Sequence, residues 1–348
     1  MSPAGPSGGR SRLQMADIAR LAGVSVSTVS RALSGSELIN VETRERIQQL
    51  ARSLNYSVNA GAQNLRLQKN QTVAVVVPYD ARSRQHISDP FFLAIVGSLA
   101  DALTDRGHDM LLSRVDADHL DGAAAAFDSG KVSGVIVIGQ WRHHDQLNAL
   151  AARAVPLVVW GAQLPQQLYC SVGGDNVEGG RLAAQHLLAL GRRRLVFLGD
   201  PELPEVGLRL RGFRQALQQA GLPAQAGLEL PVPFEMMAAR AAIDLLCADG
   251  RPFDGVVACS DLLAMQAVQA VRASGRRVPQ DVAVVGYDDM PLAAWGDPPL
   301  TSVHQPVTLA GEQIVDALQA QLRGERTASR TLPVHLVLRD SAPGAASA

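Results

Sequence analysis

The residues best placed to do chemistry near the start of this chain are Ser25, Ser27, Thr28, Ser30 and Arg31, short hydroxyls and one long cation just beyond Gly23. Gathered at the start of a helix, such groups reach the phosphate oxygens and major-groove base edges of duplex DNA. Catalytic patterns are missing: there is no G-x-S-x-G elbow, Walker loop, H-E-x-x-H or paired Cys–His signature, so no enzymatic activity is expected. His143 and His144 are adjacent and lack the i, i+4 spacing that would turn both toward one metal; they read as solvated loop residues. Arg192, Arg193 and Arg194 precede a strand and read as an exposed turn. Cys170, Cys247 and Cys259 are odd in number, widely spaced and set in apolar stretches, so three buried thiols are expected rather than disulfides or a metal site. No cofactor is expected.

The elements that must present the hydroxyl cluster are legible. Met15–Ala22 carries Ile18 and Leu21 among small residues at helical spacing, and Gly23 stops it. Ser25 offers an N-cap for a second helix, Val26–Leu33, with Val29 and Leu33 on one face. A third helix is predicted from about Val41 to Leu54, with Asn40 as its cap and Ile47, Leu50, Ala51 and Leu54 forming a stripe. Two short helices joined by A-G-V-S, followed by an amphipathic third, match a helix-turn-helix. Beyond residue 70 the rhythm changes to short apolar runs at 73–77, 135–138, 157–159, 195–198, 255–259 and 282–286, separated by helical patterns. This alternation predicts parallel sheets covered by helices on both faces, divided into two α/β lobes with a cleft between them. Ligands of such sheets bind at the C-terminal ends of the strands.

Composition sets the outer bounds. Across 348 residues, 47% are hydrophobic and 19% charged, ordinary for a globular protein with a sizeable core. No apolar run is long enough to span a bilayer, and the opening MSPAGPSGGRS lacks the apolar stretch of a secretory signal. A cytoplasmic location without membrane contact is expected. Residues 1–70 hold nine Lys/Arg against four Asp/Glu, while the remainder hold 23 against 29. A basic head on an acidic body suits a head that meets a polyanion.

One long stretch goes further. M-A-D-I-A-R-L-A-G-V-S-V-S-T-V-S-R-A-L, then T-R-E-R-I, then L-N-Y-S-V-N-A-G-A-Q-N-L-R closely resembles the headpiece and hinge of the LacI/GalR family of transcription regulators. The body continues the resemblance through D-P-F-F (89–92), G-D-N-V-E-G-G (174–180), L-R-L-R-G-F (208–213), C-S-D (259–261) and V-P-Q-D-V-A-V-V-G-Y-D-D (278–289). It implies a small all-α headpiece plus a two-lobed α/β core like the periplasmic binding proteins (type I), with parallel sheets. The implied organisation is a headpiece (13–58), a hinge (59–70) and an effector-binding and dimerisation domain (71–340), while the small, polar stretches at 1–12 and 341–348 read by composition as disordered tails. The implied partners are a pseudopalindromic double-stranded operator, a small-molecule effector that is a sugar or sugar derivative, and a second copy in a homodimer. A soluble sugar carrier without DNA function, or a regulator answering to a purine or nucleoside, are the alternatives.

Carried over position by position, the resemblance makes Val26 and Ser27 the readers of operator bases. Arg31 reaches a guanine edge or a phosphate, and Ser25, Thr28, Asn40 and Asn59 touch the DNA backbone. Leu65 matches the hinge leucine that wedges into the minor groove. Two departures, Val58 where a proline is usual and Gly61 inside the hinge helix, imply a hinge that folds only on its operator. In the body, Phe91, Phe92, Asp175, Arg209, Phe234, Asp261 and Asp288 fall at effector-lining positions. Carboxylates and a guanidinium suit vicinal hydroxyls, and aromatic faces suit the apolar faces of a sugar ring. Trp160 and Trp295 follow strands in a chain with only 4% aromatic residues and are added as stacking platforms.

Overall fold

The computed structural model describes residues 15–33, 36, 38–54, 70–80, 86–223 and 227–344. The chain divides into two units, Met1–Asn70 and Gln71–Ala348.

In the first unit three helices, Met15–Ala22, Val26–Leu33 and Val41–Ser53, close on a core of Ile18, Ala19, Val29, Ala32 and Ile47. Gly23 takes a left-handed φ of 67°, which turns the chain between the first two helices at little cost to a glycine. Ser25 Oγ accepts the Thr28 amide at 3.1 Å, and Asn40 Oδ1 accepts that of Glu42 at 2.9 Å. Both predicted caps are therefore in place, each satisfying a helix-end amide that would otherwise lack a partner.

The second unit contains two six-stranded sheets. Lobe one holds β1 (Thr72–Tyr79), β2 (Asp109–Asp116), β3 (Gly134–Ile138), β4 (Leu157–Trp160) and β5 (Cys170–Gly174). Lobe two holds β6 (Leu195–Leu198), β7 (Gly227–Leu230), β8 (Gly255–Ala258), β9 (Ala283–Asp288) and β10 (Thr301–His304). The chain then returns β11 (Arg330–Leu332) to the first sheet and β12 (His335–Val337) to the second. The orders are β2-β1-β3-β4-β5-β11 and β7-β6-β8-β9-β10-β12, parallel throughout except where β12 meets β10. The central strands are buried on both faces, which is why they read as continuous apolar runs. Strands β2, β5, β7, β10, β11 and β12 are not among the predicted runs: β2, β7 and β12 are exposed or half-exposed, while β5 and β10 are buried but made of small and polar residues.

Three chain segments cross between the lobes: Gly174–Asn176, His304–Val307 and Leu332–His335. The first and third are joined by the Asp175 amide, which donates to the Leu332 carbonyl at 2.9 Å, and the first is braced internally by Asn176 Nδ2, which donates to the Gly174 carbonyl at 3.0 Å.

One expectation fails at the C-terminus. Ser341 and Ala342, placed in a disordered tail by their small-residue context, are fully buried. Ser341 Oγ donates to the Val284 carbonyl at 2.6 Å, and Ala342 O accepts from His186 Nε2 at 2.8 Å and Thr301 Oγ1 at 2.9 Å. Composition suggested a loose end, but backbone and hydroxyl bonding to lobe two override it. Likewise His144 opens the helix His144–Ala152 half-buried, its ring 5.7 Å from that of Tyr169, and Cys247 is only half-buried.

Candidate functional site

A cleft lies between the lobes, where the C-terminal ends of β3, β4 and β9 converge. Lobe one contributes Asp89, Phe91, Phe92, Ile138, Gly139, Trp141 and Trp160; lobe two contributes Leu203, Glu205, Val206, Arg209, Phe234, Ser260 and Asp288.

The aromatic wall begins with the helix Pro90–Asp105. Asp89 caps it, accepting the Phe91 amide at 2.9 Å, and Pro90 is preset for a first helical turn. That start throws Phe91 and Phe92 toward the cleft, with the Phe91 ring 6.0 Å from Trp160 and 6.2 Å from Phe92. Trp160 is the last residue of a wholly buried strand.

The opposite wall hangs on Arg209. It lies on the helix Pro204–Gln219, which crosses the helix Asn176–Ala189 backbone to backbone. A Cβ on Gly180 would collide with the Arg209 carbonyl, and one on Gly212 with that of Val177. Gly180, the last glycine of G-D-N-V-E-G-G, thus serves close helix packing. The contact fixes Arg209, whose Nε donates to Asn176 Oδ1 at 2.8 Å, whose Nη1 donates to the Cys259 carbonyl, and whose guanidinium lies 3.7 Å from the Tyr287 ring centroid. Asp288 is buried beside it with φ at 102°, a backbone setting costly for any non-glycine residue. Its Oδ1 accepts from Gln305 Nε2 at 2.7 Å. Burial pushes the Asp288 carboxyl well above the usual carboxylate range; the Arg209 charge opposes this and nearby Asp261 adds to it. Burial also raises Glu205, against hydrogen bonds from its own and the Gln140 backbone and the Arg209 charge. The result is a ring-lined slot faced by a buried cation and carboxyl groups that can donate or accept, suited to a polyhydroxylated ligand.

Of the nine effector positions expected from sequence, six line this cavity: Phe91, Phe92, Trp160, Arg209, Phe234 and Asp288. Three do not. Asp175 caps the helix Asn176–Ala189, accepting the Glu178 amide at 2.9 Å, and borders a separate groove. Asp261 is buried inside lobe two, accepting Ser302 Oγ at 2.6 Å and the Met290 amide at 2.7 Å, which lock β10 and the turn after β9 together. Trp295 points outward and is 85% exposed. Sequence reading missed Trp141, Glu205 and Asp89. Signals existed for each: a rare tryptophan just past β3, a carboxylate one helical turn before Arg209, and the first letter of D-P-F-F.

In the first unit Ser25 at the cap and Val26, Ser27 and Arg31 on the second helix are exposed, while Thr28 on the same helix is half-buried. Val26 is 47% exposed although apolar, so no packing demand accounts for it. Asn40 is exposed while its side chain caps the third helix. Asn59, Leu65 and the hinge departures Val58 and Gly61 lie outside the described residues.

Comparison with known proteins adds an independent axis. Residues 14–59 match the family model of bacterial regulatory proteins, lacI family, and residues 184–342 match a periplasmic binding protein-like domain. Over 341 residues the chain is 35% identical to the HTH-type transcriptional regulator CelR of Thermobifida fusca, covering 95% of this chain and 99% of that one. A solved complex of a transcriptional regulator CelR with cellobiose superposes with a TM-score of 0.70 at 34% identity, over 95% of this chain and all of the other. The lac repressor dimer bound to operator and the anti-inducer ONPF superposes at 0.84 with 25% identity, over 96% of this chain and all of the other.

Proposed function

The chain belongs to the lacI family of bacterial regulatory proteins, and on that premise we propose that it is a sequence-specific repressor of carbohydrate-utilisation genes, governed by a sugar in its interlobe cavity. The observation that carries the effector half is the pairing of a ring-lined wall with buried Arg209 and Asp288 across one cleft. Vicinal hydroxyls offer the donors and acceptors that this pair needs, and pyranose faces offer the apolar surface that the rings need. The CelR complex with cellobiose makes a β-linked glucose disaccharide the first compound to try. Phe91, Phe92, Trp160, Arg209, Phe234 and Asp288, with Trp141, Glu205 and Asp89, are assigned to the effector.

The DNA half rests on the exposed face of the second helix. Val26 and Ser27 are assigned to base edges, Arg31 to a guanine or phosphate, and Ser25, Thr28 and Asn40 to the backbone, with Asn59 and Leu65 completing the contact from the hinge. A dimer on a pseudopalindrome follows from the lac repressor dimer on its operator. The protein acts where its DNA is, in the cytoplasm, as a regulator rather than an enzyme. A carrier without DNA function is disfavoured by the whole-chain identity to a regulator.

Selection of bound sequences from a random duplex library, with and without cellobiose, ribose and other mono- and disaccharides, tests both halves. One enriched pseudopalindrome whose recovery changes with one sugar is expected. Enrichment that no sugar alters would remove the effector assignment, and no enrichment in any condition would remove the operator assignment.

A further inference from the structure

We propose that Gly139–Arg142, the turn after β3, is a clasp that holds the two lobes shut over the cavity, with Arg142 positioning Trp141 as part of the cavity wall. Two left-handed residues, Gly139 at φ 91° and Trp141 at φ 50°, bend this segment out of lobe one toward lobe two. Its root is pinned at home. The Gly139 amide donates to the Trp160 carbonyl at 2.8 Å, Gln140 Nε2 donates to the Ala162 carbonyl at 2.6 Å, and Gln140 Oε1 accepts the Ala162 amide at 2.9 Å.

Its tip is held by the other lobe. Trp141 is 8% exposed and packs into the hydrophobic cluster of lobe two with Leu203 and Val206, although it belongs by sequence to lobe one. Next to it the Arg142 guanidinium binds Asp200 through Nη2 and Glu202 Oε2 through Nε at 2.9 Å, both from the loop after β6. Asp200 in turn accepts the Glu202 amide at 3.0 Å, so the receiving loop is itself ordered. Asp80, at the end of β1 in lobe one, stands 3.8 Å from Arg142 Nη1. The guanidinium therefore has a partner within its own lobe to fall back on when the lobes part.

The consequence is mechanical. Trp141 contacts the cavity and lobe two at once, so a filled cavity and a closed clasp support each other whatever the ligand is. A single exposed ion pair is worth little, but a planar guanidinium shared by converging carboxylates, beside a buried indole, resists opening more than its separate pairs.

The test needs no ligand and so stands apart from the assignment of the effector. In the full chain labelled with 5-fluorotryptophan, the fluorine resonance of Trp141, identified with Trp141→Phe, reports its exposure, while exposed Trp295 and buried Trp160 serve as internal references. Arg142→Glu should move the Trp141 resonance toward that of Trp295, consistent with about a fivefold rise in the open population for the loss of one such pair. Adding Asp200→Arg should reverse the shift by restoring opposite charges. Salt at about 1 M should move the resonance of the unaltered chain in the same direction as Arg142→Glu, and should move that variant back toward the parent by screening the repulsion of the introduced carboxylate by Asp200 and Glu202. A Trp141 resonance indifferent to both the charge reversal and salt would overturn the clasp. So would failure of the charge swap to restore it in a variant that melts like the parent.

Discussion

The two walls of the cavity are built on different physics. Lobe one offers rings, Phe91, Phe92, Trp141 and Trp160, held by packing and by where strands end. Lobe two adds Phe234 but is dominated by Glu205 and by Arg209 and Asp288, the last two held by hydrogen bonds that reach into the crossover segments. Arg209 is tied to Asn176 on the first crossover and Asp288 to Gln305 on the second. A ligand that pulls on the charged wall therefore pulls on the joints between lobes, whereas one that rests on Phe91, Phe92 and Trp160 alone does not; Trp141, seated in the lobe-two cluster, is the exception on the aromatic wall.

The largest expected effect on the sugar response is on the charged wall. Arg209→Ala removes the bonds to Asn176 and the Cys259 carbonyl and the packing on Tyr287, and should cost about 1–3 kcal/mol of stability and abolish the sugar response, as read by thermal melts and titration. Full sugar response in a folded Arg209→Ala variant would break the comparison. On the aromatic wall, Trp160→Ala opens a void and should cost about 3–5 kcal/mol for burial. Phe91→Leu keeps most of the volume and should reduce sugar affinity by about tenfold through lost stacking, with the operator response preserved at saturation.

Asp261 sharpens the contrast between a buried acid that serves a fold and one that serves a site. Burial raises its carboxyl to about 7, outweighing hydrogen bonds from Ser302 and Met290. The folded state thus keeps a proton that the unfolded chain releases near pH 4, so stability is fullest below that and falls as pH rises toward 7, by up to about 1.4 kcal/mol per unit. Asp261→Asn should flatten that slope in pH-dependent melts while sparing sugar affinity. An unchanged slope would remove Asp261 as its source.

The smallest effect on stability belongs to the exposed face of the second helix, assigned above to DNA. Ser27→Ala, at an exposed position, should shift stability by less than about 0.5 kcal/mol. Its effect on operator preference should reach about 1–3 kcal/mol at one base pair, measured by binding to a set of single-base operator variants. Equal weakening on all of them would make Ser27 a backbone contact.

Much of this was legible because it is local. Helix periodicity, Gly23 and the Ser25 and Asn40 caps fixed the three helices of the head, and continuous apolar runs marked the strands at the centres of both sheets. The edge strands were hidden because they are partly open to water, β5 and β10 because their small and polar residues break the apolar run, and Ser341 was misread because a small polar residue shows no sign of which carbonyl it will find. Phe91, Arg209 and Asp288 came from motif matches, while Asp175 and Asp261 came the same way and proved to hold a cap and a loop.

What the residue string determined by itself was which segments fold and what each face would want, since helix and strand preferences act between neighbours a few positions apart. Only the tertiary structure decided which side chains share the cleft. Glu205, Trp141 and Asp89 lie far apart in the chain and meet because the parallel sheets end at one place and the crossovers bring their lobes together there. The same physics turned Trp295 to solvent and seated Trp141 in the opposite lobe, for the direction of a side chain after a strand depends on the next turn's φ and on what stands across the gap.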